Sequence, residues 1–261
     1  MREWILSEVN YGYVKEHPYD VALLPMGATE PHNLHLPYGT DTYEADEIGS
    51  RVCEAAFKQG ARVVMLPAIP YGTETNQMEF PLAMNANPST LGLLIRDLVD
   101  SLEKHGIRKL VILNSHGGNE FKPLLRELQG QTSVHIFLCD WFRGVSDDKQ
   151  SEIFESPGDH AGEMETALGL AYFPDLVATD PNTGKLTADD GAVRSTRFEA
   201  VNRGWVSITR PWHLLTKNTG SGDPHPATAE KGRQLMDVLV ERISAFLVEL
   251  ADAPLDEQFP F

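Results

Sequence analysis

The stretch DVALLPMGATEPHNLHLPYGTD, residues 20–41, decides the fold, because it joins a buried strand to the start of a helix. The apolar run Val21–Met26 is typical of a strand covered on both faces of a sheet. A polar loop follows, and Asp41 at its end can cap a helix over Thr42–Gln59. Strand, loop and amphipathic helix together form the first unit of an α/β fold.

The same alternation continues to about residue 140. Further strands are predicted at Arg62–Leu66, Lys109–Leu113 and Val134–Leu138, and further helices at Ser89–His105 and Phe121–Gln129. Alternating strands and helices imply a largely parallel sheet with helices on both faces. Ligands in such folds bind at the carboxyl ends of the strands.

The second half of the chain is less regular. Helices are predicted at Glu163–Tyr172 and, long and amphipathic, at Ala227–Leu250. Residues 175–210 are polar and contain several glycines and prolines, which favours loops and short strands. Because no repeat or linker interrupts the chain, we expect one domain over residues 1–261.

Composition narrows the class of function. A formal net charge of −16 repels phosphate backbones and anionic lipid, so nucleic-acid and membrane-surface binding are disfavoured. No run approaches the roughly 18 apolar residues of a membrane span. Residues 1–13 lack the basic start and apolar run of a signal peptide, so we expect a cytoplasmic protein. Cys53 and Cys139 form no Cys-x-x-Cys pair, which excludes a thiolate zinc site.

The loop after the first strand holds the first candidate metal ligands, Glu30, His32 and Asp41. Glu30 and His32 are two residues apart, so they project to the same side of an extended segment. Pro31 favours that extended backbone at Glu30. The two oxygens of Asp41 could bridge two ions. The alternative is that Asp41 only caps the helix and Glu30 is a solvated loop residue.

Two further clusters follow. LNSHGGNE, residues 113–120, places His116 after a buried strand and before two glycines that let the backbone approach a ligand closely. GDHAGEMET, residues 158–166, concentrates acidic residues and His160 at a helix start. The helix dipole alone favours acids there. Three His/carboxylate clusters in one domain nevertheless predict a site for zinc or manganese, with iron as a further option.

These three segments, in this order and spacing, resemble the creatininase (creatinine amidohydrolase) family. The family motifs read approximately G-x-x-E-Q-H-G-x-H-L-P-x-x-T-D, N-S/G-H-G-G-N and H-A-G-E-x-E-T. The resemblance implies a three-layer α/β/α sandwich, two metal ions per chain and a homo-oligomer, as in the hexamers of characterised members. It also implies that Glu30 and His32 bind different ions, that Asp41 bridges them and that His116 joins the ion of Glu30.

The resemblance identifies the fifth metal ligand less directly. Creatininase itself carries a glutamate two residues after the equivalent of His116, where this chain has Gly118. This chain in turn has an acid at Glu163 that creatininase lacks, so Glu163 is the expected replacement and Glu165 the alternative. Residues 163 and 165 of a regular helix point about 200° apart, so only one can face the cluster.

The resemblance assigns His160 as the catalytic histidine. In the mechanism that we expect, His160 protonates the departing nitrogen, and Asp159 or Glu165 orients its ring, so Glu165 is also a catalytic candidate. The expected activity is hydrolysis of a non-peptide C–N amide bond by a hydroxide held between the ions. A formamide deformylase acting on a formamidopyrimidine and a catalytically silent metal-binding homologue are the alternatives. Pro31, Asn33 and Leu34 depart from the motif and leave the small-molecule amide substrate open. Aromatic residues after strands could line its pocket: Tyr71, Trp141 and Phe142.

Overall fold

The computed structural model describes residues 1–261 and contains one parallel sheet of four strands in the order β2-β1-β3-β4. The strands are β1 (Val21–Met26), β2 (Val63–Met65), β3 (Lys109–Asn114) and β4 (His135–Asp140). Every residue of the two central strands, β1 and β3, is buried, as the apolar runs at Val21–Met26 and at residues 110–113 predict.

Nine α-helices surround or extend from this sheet. They are α1 (Tyr11–Glu16), α2 (Thr40–Lys58), α3 (Pro88–Lys104), α4 (Lys122–Leu128), α5 (Asp147–Ile153), α6 (Glu163–Tyr172), α7 (Glu199–Asn202), α8 (Trp212–Leu215) and α9 (Ala229–Asp252). None of these helices combines the length and the apolar character that crossing a membrane requires.

The predicted sandwich is confirmed by two hydrophobic cores, one on each face of the sheet. Alternate residues of the strands contribute to opposite cores: Val21 and Leu23 of β1 to one, Ala22 and Leu24 to the other. The first core packs against α2, α6 and α9, and the second against α3 and α4. The molecule therefore has three layers, α/β/α.

The long helix α9 ends beside Lys109, the first residue of β3. There the buried side chain of Lys109 donates hydrogen bonds to the carbonyl oxygens of Leu250, Ala251 and Ala253, at 2.6, 3.1 and 2.7 Å. The last carbonyls of a helix have no partner within the helix, so this lysine satisfies them and complements the negative end of the helix dipole.

Residues 175–210 differ from the prediction of short strands. They form loops, the short helix α7 and one isolated bridge between Thr179 and Leu186. This region also carries exposed apolar side chains, among them Phe198 at 65% and Trp205 at 73% exposure.

Candidate metal centre

The candidate site lies where the loops after β1 and β3 meet. These strands are neighbours and run in register, with Met26 beside Asn114 at their carboxyl ends. The loop carrying Glu30 and His32 therefore begins next to the turn carrying His116. Adjacent parallel strands thus bring residues more than 80 positions apart in the sequence to one edge of the sheet.

The four ligands expected from the first two segments do come together. His32 Nε2 lies 2.9 Å from Asp41 Oδ1, and His116 Nδ1 lies 2.9 Å from Asp41 Oδ2. His116 Nδ1 is also 2.9 Å from Glu30 Oε1. All four residues are buried. Each oxygen of the Asp41 carboxylate therefore faces a different histidine.

Asp41 does not cap its helix. Helix α2 begins at Thr40 and its N-cap position is Gly39, which offers no side-chain hydrogen bond. Asp41 sits in the first turn, with its side chain directed toward the histidines. The alternative that Asp41 serves only as a cap is therefore wrong.

The buried acids and imidazoles of the cluster shift one another's pKa values. Burial raises the pKa of Glu30 well above its ordinary range. Burial alone would lower the pKa of His32 and of His116, but the carboxylates beside them outweigh it and raise both values. Buried acids gathered around imidazoles, without thiolates, form the donor set that zinc, manganese or iron takes.

Three overlapping groups of side chains hold their ligand atoms within 4.8 Å of one another. They are Glu30, His32 and His160; Glu30, Glu74 and His116; and His32, Asp41 and Glu165. Glu163 belongs to none of them, although it is fully buried.

Glu163, the expected fifth ligand, makes other contacts in this structure. Its carboxylate accepts hydrogen bonds from the backbone N–H groups of Glu155 and Ser156, at 2.9 and 2.8 Å, and pairs with Lys231. Glu165 faces His32 and Asp41 instead, and burial raises the pKa of its carboxyl to about 7. One of the two acids faces the cluster, as the sequence argument expects, and the structure places Glu165 there rather than Glu163.

His160 lies beside the cluster, held in a way that the sequence did not indicate. Its Nε2 is 3.0 Å from the carbonyl oxygen of Pro31, and its Nδ1 is 3.7 Å from Glu30 Oε1. Asp159 pairs with Arg210 at 3.2 Å, and Glu165 accepts a hydrogen bond from the Ala161 N–H, so neither acid orients the ring.

The surroundings of His160 keep its imidazole neutral. Burial is the main cause that lowers its pKa to about 3, and His32 adds to the effect. The ring packs against His32 at 4.2 Å and edge-on against Trp212 at 4.9 Å between centroids. The next residue, Ala161, has a φ of 49°, a left-handed conformation that costs a non-glycine residue energy and is often found at functional sites.

Three buried residues of the site were missed by the sequence reasoning. Gln77 donates a hydrogen bond to Glu30 Oε2, and Glu74 Oε1 lies 2.6 Å from His116 Nε2. Glu44, one turn after Asp41 on α2, is buried, and burial raises its pKa well above the ordinary range. Glu74 and Gln77 follow β2, whose carboxyl end lies at the same sheet edge, and that position was the available signal.

A cavity of about 290 Å³ opens onto the cluster. Glu30, Asp41, His116, His160 and Glu165 all line it. Its apolar wall consists of Trp141, Phe142, Met164 and Trp212. The indole N–H of Trp141 donates to Ser115 Oγ at 2.8 Å, which fixes that ring. Tyr71 is not part of the lining and is half exposed.

The chain is similar in sequence to one protein family and to several characterised hydrolases. The family model for creatininase (creatinine amidohydrolase) matches residues 7–247. A creatinine amidohydrolase from Pseudomonas putida is 30% identical over 259 residues, 92% of this chain and 90% of that protein. A mycofactocin precursor peptide peptidase from Mycobacterium ulcerans is 28% identical over 226 residues, 84% and 81% of the two chains. A 2-amino-5-formylamino-6-ribosylaminopyrimidin-4(3H)-one 5'-monophosphate deformylase from Methanothermobacter marburgensis is 24% identical over 235 residues, 89% and 91%.

Solved structures share the fold. A candidate creatinine amidohydrolase from Bacteroides fragilis has a TM-score of 0.89 at 37% identity, over 98% of this chain and 100% of that one. A manganese creatininase superposes with a TM-score of 0.74 at 22% identity, over 96% and 100%. A Zn-Zn form of a creatininase mutant gives 0.74 at 23%, over 97% and 100%. At their lower identity the last two show the fold alone.

Proposed function

Because the chain belongs to the creatininase family, we propose that it is a binuclear metal-dependent hydrolase of a small-molecule amide. Membership of this family makes the chain a hydrolase of an amide C–N bond. The binuclear site is supported by the buried convergence of Glu30, His32, Asp41 and His116 beside a cavity.

The contacts divide the donors into two sets that share Asp41. Glu30, Asp41 and His116 would hold one ion, since His116 Nδ1 is 2.9 Å from both carboxylates. His32, Asp41 and Glu165 would hold the other, since their ligand atoms lie within 4.8 Å of one another. Glu165 therefore takes the place of the fifth ligand. Oxygen and imidazole donors favour zinc or manganese, with iron as a further option.

Two bound ions would supply a water of lowered pKa and would polarise the amide carbonyl. The chain itself supplies the group that moves the proton. With Nε2–H of His160 donated to the Pro31 carbonyl, Nδ1 keeps its lone pair and faces the cluster. A neutral imidazole in this position can accept a proton and deliver it to the departing nitrogen, which is general acid–base catalysis.

Trp141 and Trp212 narrow the cavity around this reaction. Both indoles are buried, and both line the cavity beside His160. They would shield the reacting amide from bulk water, which strengthens the electrostatic interactions in the site. The cavity volume of about 290 Å³ suits a small substrate rather than a folded protein.

Metal loading combined with a substrate screen tests this proposal. Protein saturated with zinc or manganese should bind two ions per chain and hydrolyse at least one member of a panel of creatinine, formamidopyrimidines and small cyclic amides.

Asp41→Asn should lower the affinity for both ions, whereas His32→Ala should release mainly one. A chain that stays metal-free in excess zinc and manganese contradicts the proposal. Two ions without hydrolysis of any amide would favour the silent metal-binding homologue, and hydrolysis of formamides alone would favour the deformylase.

A further inference from the structure

Both ring nitrogens of His116 are engaged by carboxylates. Nδ1 faces the cluster, 2.9 Å from Glu30 Oε1 and from Asp41 Oδ2. Nε2, on the far side of the ring, lies 2.6 Å from Glu74 Oε1 and 3.2 Å from the Thr73 carbonyl oxygen. The ring therefore has one side turned to the proposed ions and the other to the loop after β2.

Glu74 reaches this position on an anchored backbone. Its N–H donates to Asn85 Oδ1 at 2.8 Å, and the preceding N–H of Thr73 donates to Asn119 Oδ1 at 3.1 Å. The Glu74 side chain is fully buried, and neither carboxylate oxygen has a hydrogen bond with good geometry, although Oε1 lies 2.6 Å from His116 Nε2. Burying a carboxylate is costly unless a charged or donating partner offsets it, and the imidazole of His116 is 2.6 Å away.

The protein also leaves room for this contact. A Cβ on Gly118 would collide with His116 Nε2 and would come within 2.5 Å of the Thr73 carbonyl oxygen. A Cβ on Gly72 would lie 2.9 Å from His116 Cδ2. The two glycines therefore keep the Nε2 side of the ring open to Glu74, and a side chain at position 118 is incompatible with the arrangement.

We infer that Glu74 is a positioning residue, which accepts the Nε2–H of His116 and so presents Nδ1 to the metal. This inference rests on the proposed metal site. A carboxylate behind a ligating histidine fixes the tautomer and ring orientation and makes the ligand nitrogen more basic, and its loss typically weakens metal binding about 10–100-fold. Glu74 itself lies on the side of the ring opposite Nδ1, so it acts through His116.

A pair of variants on one loop tests this role. Glu74→Gln removes the charge and keeps the side-chain size, whereas Glu79→Gln removes an exposed charge five residues later. Zinc affinity is measured by competition with a coloured chelator. We expect two ions at saturation in both variants, with one ion of Glu74→Gln bound about 10–100-fold more weakly and Glu79→Gln matching the unsubstituted protein.

Nitrogen-15 NMR of the histidines in the unsubstituted, zinc-loaded protein supplies a readout that needs no variant. His116 should carry its proton on Nε2 and its metal on Nδ1. The opposite tautomer overturns the inference, as does unchanged zinc affinity in Glu74→Gln. Loss of one ion from Glu74→Gln even at saturating zinc also overturns it, because Glu74 would then be a ligand. An unsubstituted protein that binds no zinc or manganese would instead remove the proposed function, and this inference with it.

Discussion

Glu163 and Glu165 lie two residues apart in α6, and their side chains point to different parts of the molecule. Glu163 ties the start of α6 to the preceding loop and to Lys231 at the start of α9. Glu165, two residues later, faces His32 and Asp41. Two acids of the same motif therefore have different roles, one in holding elements together and one in the proposed metal site.

Substituting each acid separately should distinguish these roles. Glu163→Gln should keep two ions and lower the free energy of unfolding by about 1–3 kcal/mol, because Lys231 loses its buried charge partner. Glu165→Gln should unfold at nearly the same urea concentration when metal-free, but release one of the two ions. Metal analysis and urea denaturation of both variants measure this. Loss of an ion from Glu163→Gln, with both ions retained in Glu165→Gln, would show that Glu163 is the fifth ligand.

The residues of the site that sequence predicted share one property. Glu30, His32, Asp41 and His116 lie immediately after buried strands or at the first turn of a helix, where strand order brings them together. Glu74 was missed because its loop, after the three-residue strand β2, carries no histidine to draw attention to it. The spacing of Glu163 and Glu165 shows that only one of them can face the cluster, but the bounds of α6 alone do not say which, because they leave the rotation of the helix about its axis open.

At the scale of elements, the long periodic segments were predicted to within about two residues. Helix α6 was predicted with the observed bounds, and α2, α3 and α9 differ by one or two residues at each end. Helices α1, α7 and α8 were missed because each is at most six residues long, and α5 was missed because Ile153 is its only apolar residue. Short helices depend on tertiary contacts rather than on local sequence pattern.

The contact between Lys109 and the end of α9 gives a prediction at this scale. Lys109→Met removes the donor to three carbonyl oxygens, so we expect a loss of about 1.5–3 kcal/mol in the free energy of unfolding. Metal content should not change, because Lys109 lies at the opposite end of β3 from His116. Urea denaturation measures the loss. Lys104→Met, an exposed lysine at the end of α3, is the control, and equal stability of the two variants would contradict the role.

At the scale of the whole molecule, charge is distributed unevenly. Residues 191–217 contain Arg194, Arg197, Arg203, Arg210 and Lys217 but only one acid, Glu199, although the chain carries a net charge of −16. The same segment exposes Phe198 and Trp205. Exposed apolar side chains among basic residues are typical of a surface that binds a partner, and we predict that the partner is a second, acidic copy of the chain.

We therefore expect Trp205→Ser to lower the molar mass in solution, measured by light scattering after size-exclusion chromatography. Tyr11→Ser, which replaces an aromatic residue of 81% exposure outside the segment, should leave the mass unchanged. The segment also contributes Arg210 and Trp212 to the cavity, so the smaller species should hydrolyse its substrate more slowly. If the unsubstituted protein and Trp205→Ser have the same mass, this surface is not the interface.

The ligand candidates come from distant parts of the chain, from Glu30 near the start to Glu165 in the second half, and meet at one edge of the sheet. Ions held there would fasten the loops of β1 and β3 to helix α6. Since a ligand that binds only the folded state shifts the folding equilibrium, a chelator would act on this protein as a mild denaturant. The amount of folded enzyme in a cell would then follow the supply of metal as well as the rate of synthesis.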